Sequence, residues 1–180
     1  MNLKNLHTII EPEQFRKILK RMYFELMEKL KDSEDFAVVG IQRGGVYLAD
    51  RLKKIAFENG FELPTGKVDI TFYRDDTFYR LEQPHVKETQ IDFDVTGKTI
   101  ILCDDVIFTG RTVRAAIDEI FDYGRPKRII LVTFIDRGHR ELPIQPDVCG
   151  KTVPTRMKEQ IVVHFKEENG TDRVEIGVME

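Results

Sequence analysis

The stretch of residues 99–112 limits what this chain can fold into more than any other part of it. It reads TIILCDDVIFTGRT and begins with an unbroken apolar run, which is typical of a parallel-sheet strand covered on both faces. Two carboxylates, Asp104 and Asp105, follow, and a turn of hydroxyl and glycine residues leads into a helical pattern. Backbone N–H groups and hydroxyls would then meet at the positive end of a helix. The pattern therefore predicts a site for a phosphorylated sugar.

The two acids and the turn after them form the predicted ribose and phosphate site. Adjacent strand residues point to opposite faces, so we expect the strand to end at the acids, which lets each carboxylate bind one ribose hydroxyl. The same carboxylates could hold the waters of a magnesium ion. The full candidate set is Asp104, Asp105, Val106, Ile107, Phe108, Thr109, Gly110, Arg111 and Thr112.

A second turn lies one strand–helix unit earlier, after the apolar strand predicted at residues 36–41. Its glycines expose backbone N–H groups and it carries one guanidinium, which together suit a pyrophosphate. The turn lacks the Lys and Ser/Thr of a P-loop and the GxGxxG pattern of dinucleotide-binding folds. The predicted pyrophosphate residues are Gln42, Arg43, Gly44 and Gly45.

The remaining pattern predicts an α/β fold with a mostly parallel, twisted sheet flanked by helices. Helices are expected over residues 12–31 and 111–123, and further strands over 68–72 and 128–135. Ligands bind at the carboxyl ends of parallel strands. The four loops that carry candidate ligand-binding residues all follow such strand ends: 42–45, 73–76, 104–112 and 136–140.

The chain is predicted to be one domain, residues 1–180, with a small hood from about 1–12 and 140–180. A β-hairpin is expected from 160–165 and 173–178, around the turn residues Asn169 and Gly170. Together with the N-terminal segment, this hairpin should cover the site.

Composition narrows the class of protein. A hydrophobic share of 41% and a charged share of 33% are typical of a globular domain. No apolar run is long enough to span a bilayer, and the first residues lack a signal-peptide core, so we expect a cytoplasmic protein. Two cysteines are too few for a disulfide framework. The net charge of −3 leaves room only for a local basic patch as a nucleic-acid surface.

These motifs together resemble the type I phosphoribosyltransferases. The segments GIQRGGVYLADRL, VDITFYRDD and IDRGHRELPIQPDVCGK narrow the resemblance to the branch that combines uracil phosphoribosyltransferase activity with regulation of pyrimidine genes. The resemblance implies the type I phosphoribosyltransferase fold and the conversion of uracil and phosphoribosyl pyrophosphate (PRPP) to UMP and pyrophosphate. It also implies Mg²⁺ bound with PRPP and a homo-oligomer, a dimer or higher.

The resemblance further assigns roles to individual residues. Arg74, on a loop expected to close over the site, would meet the leaving pyrophosphate and serve catalysis beside the two acids. The turn Arg137, Gly138 and His139 would line the base pocket. A pyr mRNA leader hairpin would contact Lys20, Arg140 and Lys151.

Three functions stay open at this point. The first is a uracil phosphoribosyltransferase, and the second is mainly a UMP-responsive RNA-binding regulator with vestigial catalysis. The third is a purine-base phosphoribosyltransferase, since the Arg-Gly-Gly order of the pyrophosphate loop is closer to those enzymes. Phe24, Lys20 and Gln145 differ from the RNA-contacting residues of a relative, so we expect RNA control to be weaker, altered or absent.

Overall fold

Strands and helices alternate along most of the chain. The computed structural model describes residues 3–31, 33, 35–70 and 89–179. The strands are β1 (Leu3–Ile10), β2 (Phe36–Ile41), β3 (Thr65–Val68), β4 (Thr99–Ile107), β5 (Arg128–Asp136), β6 (Val148–Thr152), β7 (Glu159–His164) and β8 (Arg173–Met179). The helices are α1 (Pro12–Leu30), α2 (Gly44–Glu58), α3 (Arg111–Asp122) and α4 (Lys166–Asn169).

The core is a five-stranded parallel sheet in the order β3-β2-β4-β5-β6. Its central strand β4 pairs with β2 through Val38 and Ile101, and with β5 through Ile101 and Ile130. Residues 100–103 of β4 are fully buried. This confirms the predicted parallel sheet of an α/β fold, and it explains the unbroken apolar run, because both faces of β4 are covered.

Each face of the sheet packs against its own helices. On one face, α1 and α2 bury residues such as Phe15 and Leu48 in the same apolar cluster as Ile101. On the other face, α3 buries Val113 and Ile120 with the alternate residues of β4. Full burial of such a side chain contributes about 1.5–3 kcal/mol, so the alternation along β4 anchors both layers. The apolar stripe of α1 faces the core as predicted.

A second, antiparallel sheet in the order β1-β8-β7 forms the hood. β8 lies between the other two strands, with Ile176 opposite His7 on one side and Ile161 on the other. The predicted C-terminal hairpin and its pairing with the N-terminal segment are therefore confirmed. The connection between β7 and β8 contains the short helix α4 rather than a two-residue turn.

Two predicted boundaries differ from the structure. β3 covers residues 65–68 rather than 68–72, and residues 71 and 72 lie outside the described ranges. β6 was not predicted as a strand, and residues 148–152 were grouped with the hood, whereas β6 pairs with β5 in the core sheet. Among the described residues, no helix is both long and apolar enough to cross a bilayer.

Candidate active site

The predicted pyrophosphate loop, residues 42–45, lies beside the two acids of β4 at the carboxyl ends of the parallel strands. Parallel pairing brings the carboxyl ends of β2 and β4 side by side. A Cβ added to Gly44 would overlap the carboxylate of Asp105, and one added to Gly45 would overlap the carbonyl oxygen of Cys103. The two motifs, far apart in sequence, are thus in direct contact, and glycine is what permits the approach.

The acids lie within the strand and not at its end. β4 continues to Ile107, with Asp104 opposite Thr133 and Ile107 opposite Asp136. The expectation that the strand ends at the acids was wrong, because the pairing with β5 extends the ladder past them. Asp104 is buried and its Oδ1 accepts a hydrogen bond from the Asp105 N–H at 3.1 Å. The assignment of the acids to ribose hydroxyls stays a prediction.

The phosphate turn leads directly into α3. Gly110 has φ 94° and stands at the N-cap, and α3 begins at Arg111. Thr109 is buried, and its Oγ1 accepts a hydrogen bond from the Arg111 N–H at 3.2 Å. The first N–H groups of a helix have no partner within the helix, and they carry its positive end. A helix N-terminus of this kind can bind a phosphate, and the predicted phosphate contact stays a prediction.

The loop after β5 folds over this turn. The N–H groups of Glu141 and Leu142 donate to the Thr109 carbonyl at 2.9 and 3.1 Å. The Arg111 Nε donates to Glu141 Oε2 at 2.7 Å. Backbone and side-chain bonds therefore join the predicted phosphate turn to the segment that follows the predicted base loop.

Arg137 is the most buried cation described at this edge, with 7% of its surface exposed. Its guanidinium lies 4.1 Å from the centre of the Phe108 ring and donates to Thr155 Oγ1 at 3.1 Å and to the Glu159 carbonyl at 2.6 Å. Burial lowers the pKa of Arg137 from its ordinary value, and the nearby charge of Glu159 opposes that shift. The side chain is thus fixed between Phe108 and the start of β7.

His139 packs against the same ring of Phe108 as Arg137, and the three side chains form one corner of the site. His139 has φ 60°, its Nε2 lies 2.6 Å from the Thr155 carbonyl, and its ring meets the edge of Phe108 at 5.8 Å. The N–H of Gly138 donates to Asp136 Oδ1 at 2.9 Å. Arg137, Gly138 and His139 were predicted to line the base pocket, and this stays a prediction. Their partners were missed: Phe108 was predicted only as part of the phosphate segment, and Thr155 carries no sequence signal.

The pyrophosphate loop is more open. The peptide bond between Gln42 and Arg43 is cis, and the Gln42 N–H donates to the Val68 carbonyl at 2.9 Å. The Arg43 guanidinium forms an ion pair with Glu168 of α4 at 3.2 Å. Glu168 lies 125 positions further along the sequence, and no local pattern indicates this contact. Arg74, the other predicted pyrophosphate residue, lies outside the described residues.

The three predicted RNA contacts fall into two environments. Lys20 lies on the exposed side of α1, and Lys151 lies on β6, against which α1 packs. Arg140 is held inside the loop, where it donates to Asp136 Oδ2 at 2.7 Å and to the Phe108 carbonyl at 2.8 Å. These bonds give Arg140 a positioning role in the loop, and the predicted RNA contact of Arg140 stays untested.

Magnesium would have few protein ligands here. Across the described ranges, no cluster of three or more His, Cys, Asp or Glu side chains is arranged to hold a metal ion. Asp104 and Asp105 supply the carboxylate oxygens that magnesium prefers. This donor set fits an ion held through water and substrate oxygens.

Comparisons with known proteins agree with this geometry. Residues 7–166 match the model of the phosphoribosyl transferase domain. The bifunctional protein PyrR of Halalkalibacterium halodurans is 48% identical over 171 residues, which cover 93% of this chain and 95% of that protein. The bifunctional protein PyrR of Caldicellulosiruptor saccharolyticus is 50% identical over 173 residues, covering 96% and 95% of the two chains.

Solved structures agree on the fold. A hypoxanthine-guanine phosphoribosyltransferase from Bacillus anthracis superposes with a TM-score of 0.71 at 20% identity, covering 99% of this chain and 100% of the other. A hypoxanthine phosphoribosyltransferase from Staphylococcus aureus gives 0.69 at 18% identity, covering 100% and 98%. The family resemblance predicted from the sequence is confirmed: the chain belongs to the phosphoribosyltransferase family, in its PyrR branch.

Proposed function

We propose that this phosphoribosyltransferase converts uracil and PRPP to UMP and pyrophosphate. The observation that carries the proposal is the contact of Gly44 with the Asp105 carboxylate. Because of it, a ligand whose phosphate lies at the start of α3 has its ribose beside the acids and its pyrophosphate beside residues 42–45. The PyrR names of the relatives support a pyrimidine substrate.

The parts of the site have separate tasks. The N–H groups at the start of α3 bind the 5-phosphate, and Asp104 and Asp105 accept hydrogen bonds from the ribose hydroxyls. The bond from the ribose C1 to the pyrophosphate oxygen breaks, and its electron pair leaves with pyrophosphate. C1 bonds to N1 of uracil, and the N1 proton passes to solvent. The protein acts mainly by positioning and charge neutralisation.

The base lies against the corner of Phe108, Arg137 and His139. Arg137 is held by Thr155 and the Glu159 carbonyl, so it fixes the shape of this corner for a flat ring. Asp104 and Asp105 would hold the waters of a magnesium ion bound with PRPP, and such an ion would supply neutralisation of the phosphate charge. Arg74 stays the candidate for a contact with the leaving pyrophosphate.

Turnover of labelled uracil with PRPP and magnesium, beside hypoxanthine and guanine, tests the proposal. We expect turnover of uracil alone, with a fall of at least about 100-fold in the double variant Asp104→Asn/Asp105→Asn, since both ribose contacts are lost. Leaving out magnesium should give a similar fall. Asp35→Asn, at the opposite edge of the sheet, is the matched control and should keep wild-type turnover. Turnover of a purine without uracil, or of no base despite UMP binding, would overturn the proposal.

RNA binding is the second candidate function, and one surface favours it. Phe24 is 50% exposed on α1, one helical turn after the basic residues Lys20 and Arg21. Arg21 Nη2 donates to the Cys149 carbonyl at 3.0 Å, which fastens α1 to β6 and brings Lys151 to the same region. Basic side chains around an exposed aromatic ring suit a nucleic-acid loop, with phosphate contacts and base stacking.

Binding of a pyr leader hairpin and of its scrambled sequence, at several salt concentrations, tests this candidate. We expect UMP to strengthen binding of the leader, and Lys20→Ala/Lys151→Ala to reduce the salt dependence by about two phosphate contacts. Lys54→Ala, on α2, is the control. Equal affinity for the scrambled RNA would remove this function.

A further inference from the structure

One side of α2 is occupied by the segment that joins β7 to β8. Arg43 at the N-cap of α2 and Tyr47 and Arg51 within it are spaced four apart and therefore lie on one face of the helix. All three contact residues 165–172, which we call the hood clamp. Since α2 begins at the pyrophosphate loop, the hood clamp lies against the helix that carries the loop.

Arg51 and Tyr47 make the fixed part of this contact. Arg51 binds both oxygens of Glu167 at 2.7 and 2.8 Å and Asp172 Oδ1 at 2.9 Å, with 22% of its side chain exposed. The hydrogen bond from Arg51 holds the pKa of the Glu167 carboxyl below its ordinary value. The ring of Tyr47 lies 5.4 Å from that of Phe165, which is buried.

The contact between Arg43 and Glu168 is the part of the hood clamp that a ligand could replace. Their ion pair is a single contact at 3.2 Å, and their side chains are 62% and 39% exposed. Exposed pairs of this kind contribute little, because water and salt screen them. A polyanion that reaches Arg43 therefore replaces the carboxylate at little cost, whereas the bidentate contact of Arg51 stays in place.

We propose that Glu168 is a positioning residue for Arg43: it holds the guanidinium beside the pyrophosphate loop in the free protein and competes with pyrophosphate for it. Glu168 thereby sets the affinity for PRPP. The inference rests on the proposed function, since it needs residues 42–45 to bind pyrophosphate. The fixed part of the hood clamp keeps the carboxylate within reach of Arg43, so the exchange needs no movement of α2.

Calorimetric titration with inorganic pyrophosphate and magnesium tests the inference. We expect Glu168→Gln to lower the Kd for pyrophosphate and the KM for PRPP about two- to fivefold, the size of one exposed ion pair. The KM for uracil should stay unchanged, which a general loosening of the fold would not produce. Asp35→Asn removes a comparable carboxylate from an ion pair with Lys98 at the opposite edge and should leave both values unchanged.

A double-mutant cycle with Arg43→Ala isolates the competition. In the Arg43→Ala background, Glu168→Gln should have no effect on the Kd. The same gain in that background would overturn the inference, because Glu168 would then act only by repelling the ligand. An unchanged Kd in Glu168→Gln, with normal binding by the wild type, would overturn the inference alone. Absence of pyrophosphate binding by the wild type would overturn it together with the proposed function.

Discussion

The corner formed by Phe108, Arg137 and His139 fixes its arginine in place, whereas the pyrophosphate loop leaves its arginine, Arg43, largely exposed. Arg137 is 7% exposed, lies over an aromatic ring and donates to Thr155 Oγ1 and to the carbonyl of Glu159, the first residue of β7. Arg43 is 62% exposed and has an ion pair with one carboxylate. In the proposed function, a neutral base meets a surface whose shape exists before binding, while the highly charged pyrophosphate meets a cation that can be transferred to it. Rigidity in the proposed site therefore follows the charge of the ligand.

The backbone of the pyrophosphate loop, unlike its arginine, has no freedom to move, and Gly45 tests this most severely. A Cβ in Gly45→Ala meets the carbonyl oxygen of Cys103 in the central strand, which cannot move aside. We expect the free energy of unfolding to fall by about 3 kcal/mol in urea denaturation. Gly60→Ala is the control, because Gly60 has φ 85° and open space around it, and it should cost about 1 kcal/mol. Equal losses would mean that the close approach is unimportant.

Substitution of Arg137 and of Arg43 should give the next largest difference in the free energy of unfolding. Arg137→Met leaves the Glu159 carbonyl without its donor in a buried corner, and we expect a loss of about 2 kcal/mol in the free energy of unfolding. Arg43→Met should change it by less than about 0.5 kcal/mol. Thermal and urea unfolding of both variants measure this. Similar losses in both would remove the distinction between a fixed and an exchangeable arginine.

Arg51 should fall between these limits. Arg51→Met removes the bonds to Glu167 and Asp172, and we expect a loss of about 1 kcal/mol in urea unfolding. Arg114→Met, which breaks the exposed pair with Asp118 at 3.3 Å, is the control and should cost less than about 0.3 kcal/mol. If the two losses match, the hood clamp is no firmer than an ordinary surface pair.

The smallest effect is the pH dependence of the hood clamp. The pKa of Glu167 is lower in the folded protein than its ordinary value, so its contribution to stability is present above that value and is lost as pH falls through the lowered pKa. We expect the difference in Tm between wild type and Glu167→Gln to hold near pH 7 and to shrink below about pH 4.3. A difference that stays constant to pH 3 contradicts this linkage.

Much of the core could be predicted, because its signals are local. The apolar run of β4 and the apolar stripe of α1 reflect burial on two faces and on one face. β6 was missed because Val148–Thr152 contains a glycine and no alternation, and its strand geometry comes from pairing with β5. The pairing of β4 with β5 likewise extends β4 past Asp104 and Asp105, although acids disfavour strands, since tertiary contacts override propensity.

The candidate site was predictable only where the residues that would bind a ligand are consecutive in the sequence. The glycine loop and the acidic turn could be predicted in this way, and their contact follows from parallel pairing. Thr155 and Glu168 could not, because each meets its partner only through the hood. Their contacts depend on tertiary structure, and a threonine or a glutamate in a polar segment gives no local sequence signal of such a contact.

Strand β7 connects the two contrasting arginines. It begins at Glu159, whose carbonyl accepts from Arg137, and it ends directly before Phe165 and the hood clamp that reaches Arg43. Six residues of extended strand span about 20 Å. In the proposed function, β7 thus joins the site of the base at one end to the site of the pyrophosphate at the other. By thermodynamic reciprocity, any free energy that a bound base contributes through β7 must appear equally in the affinity for PRPP.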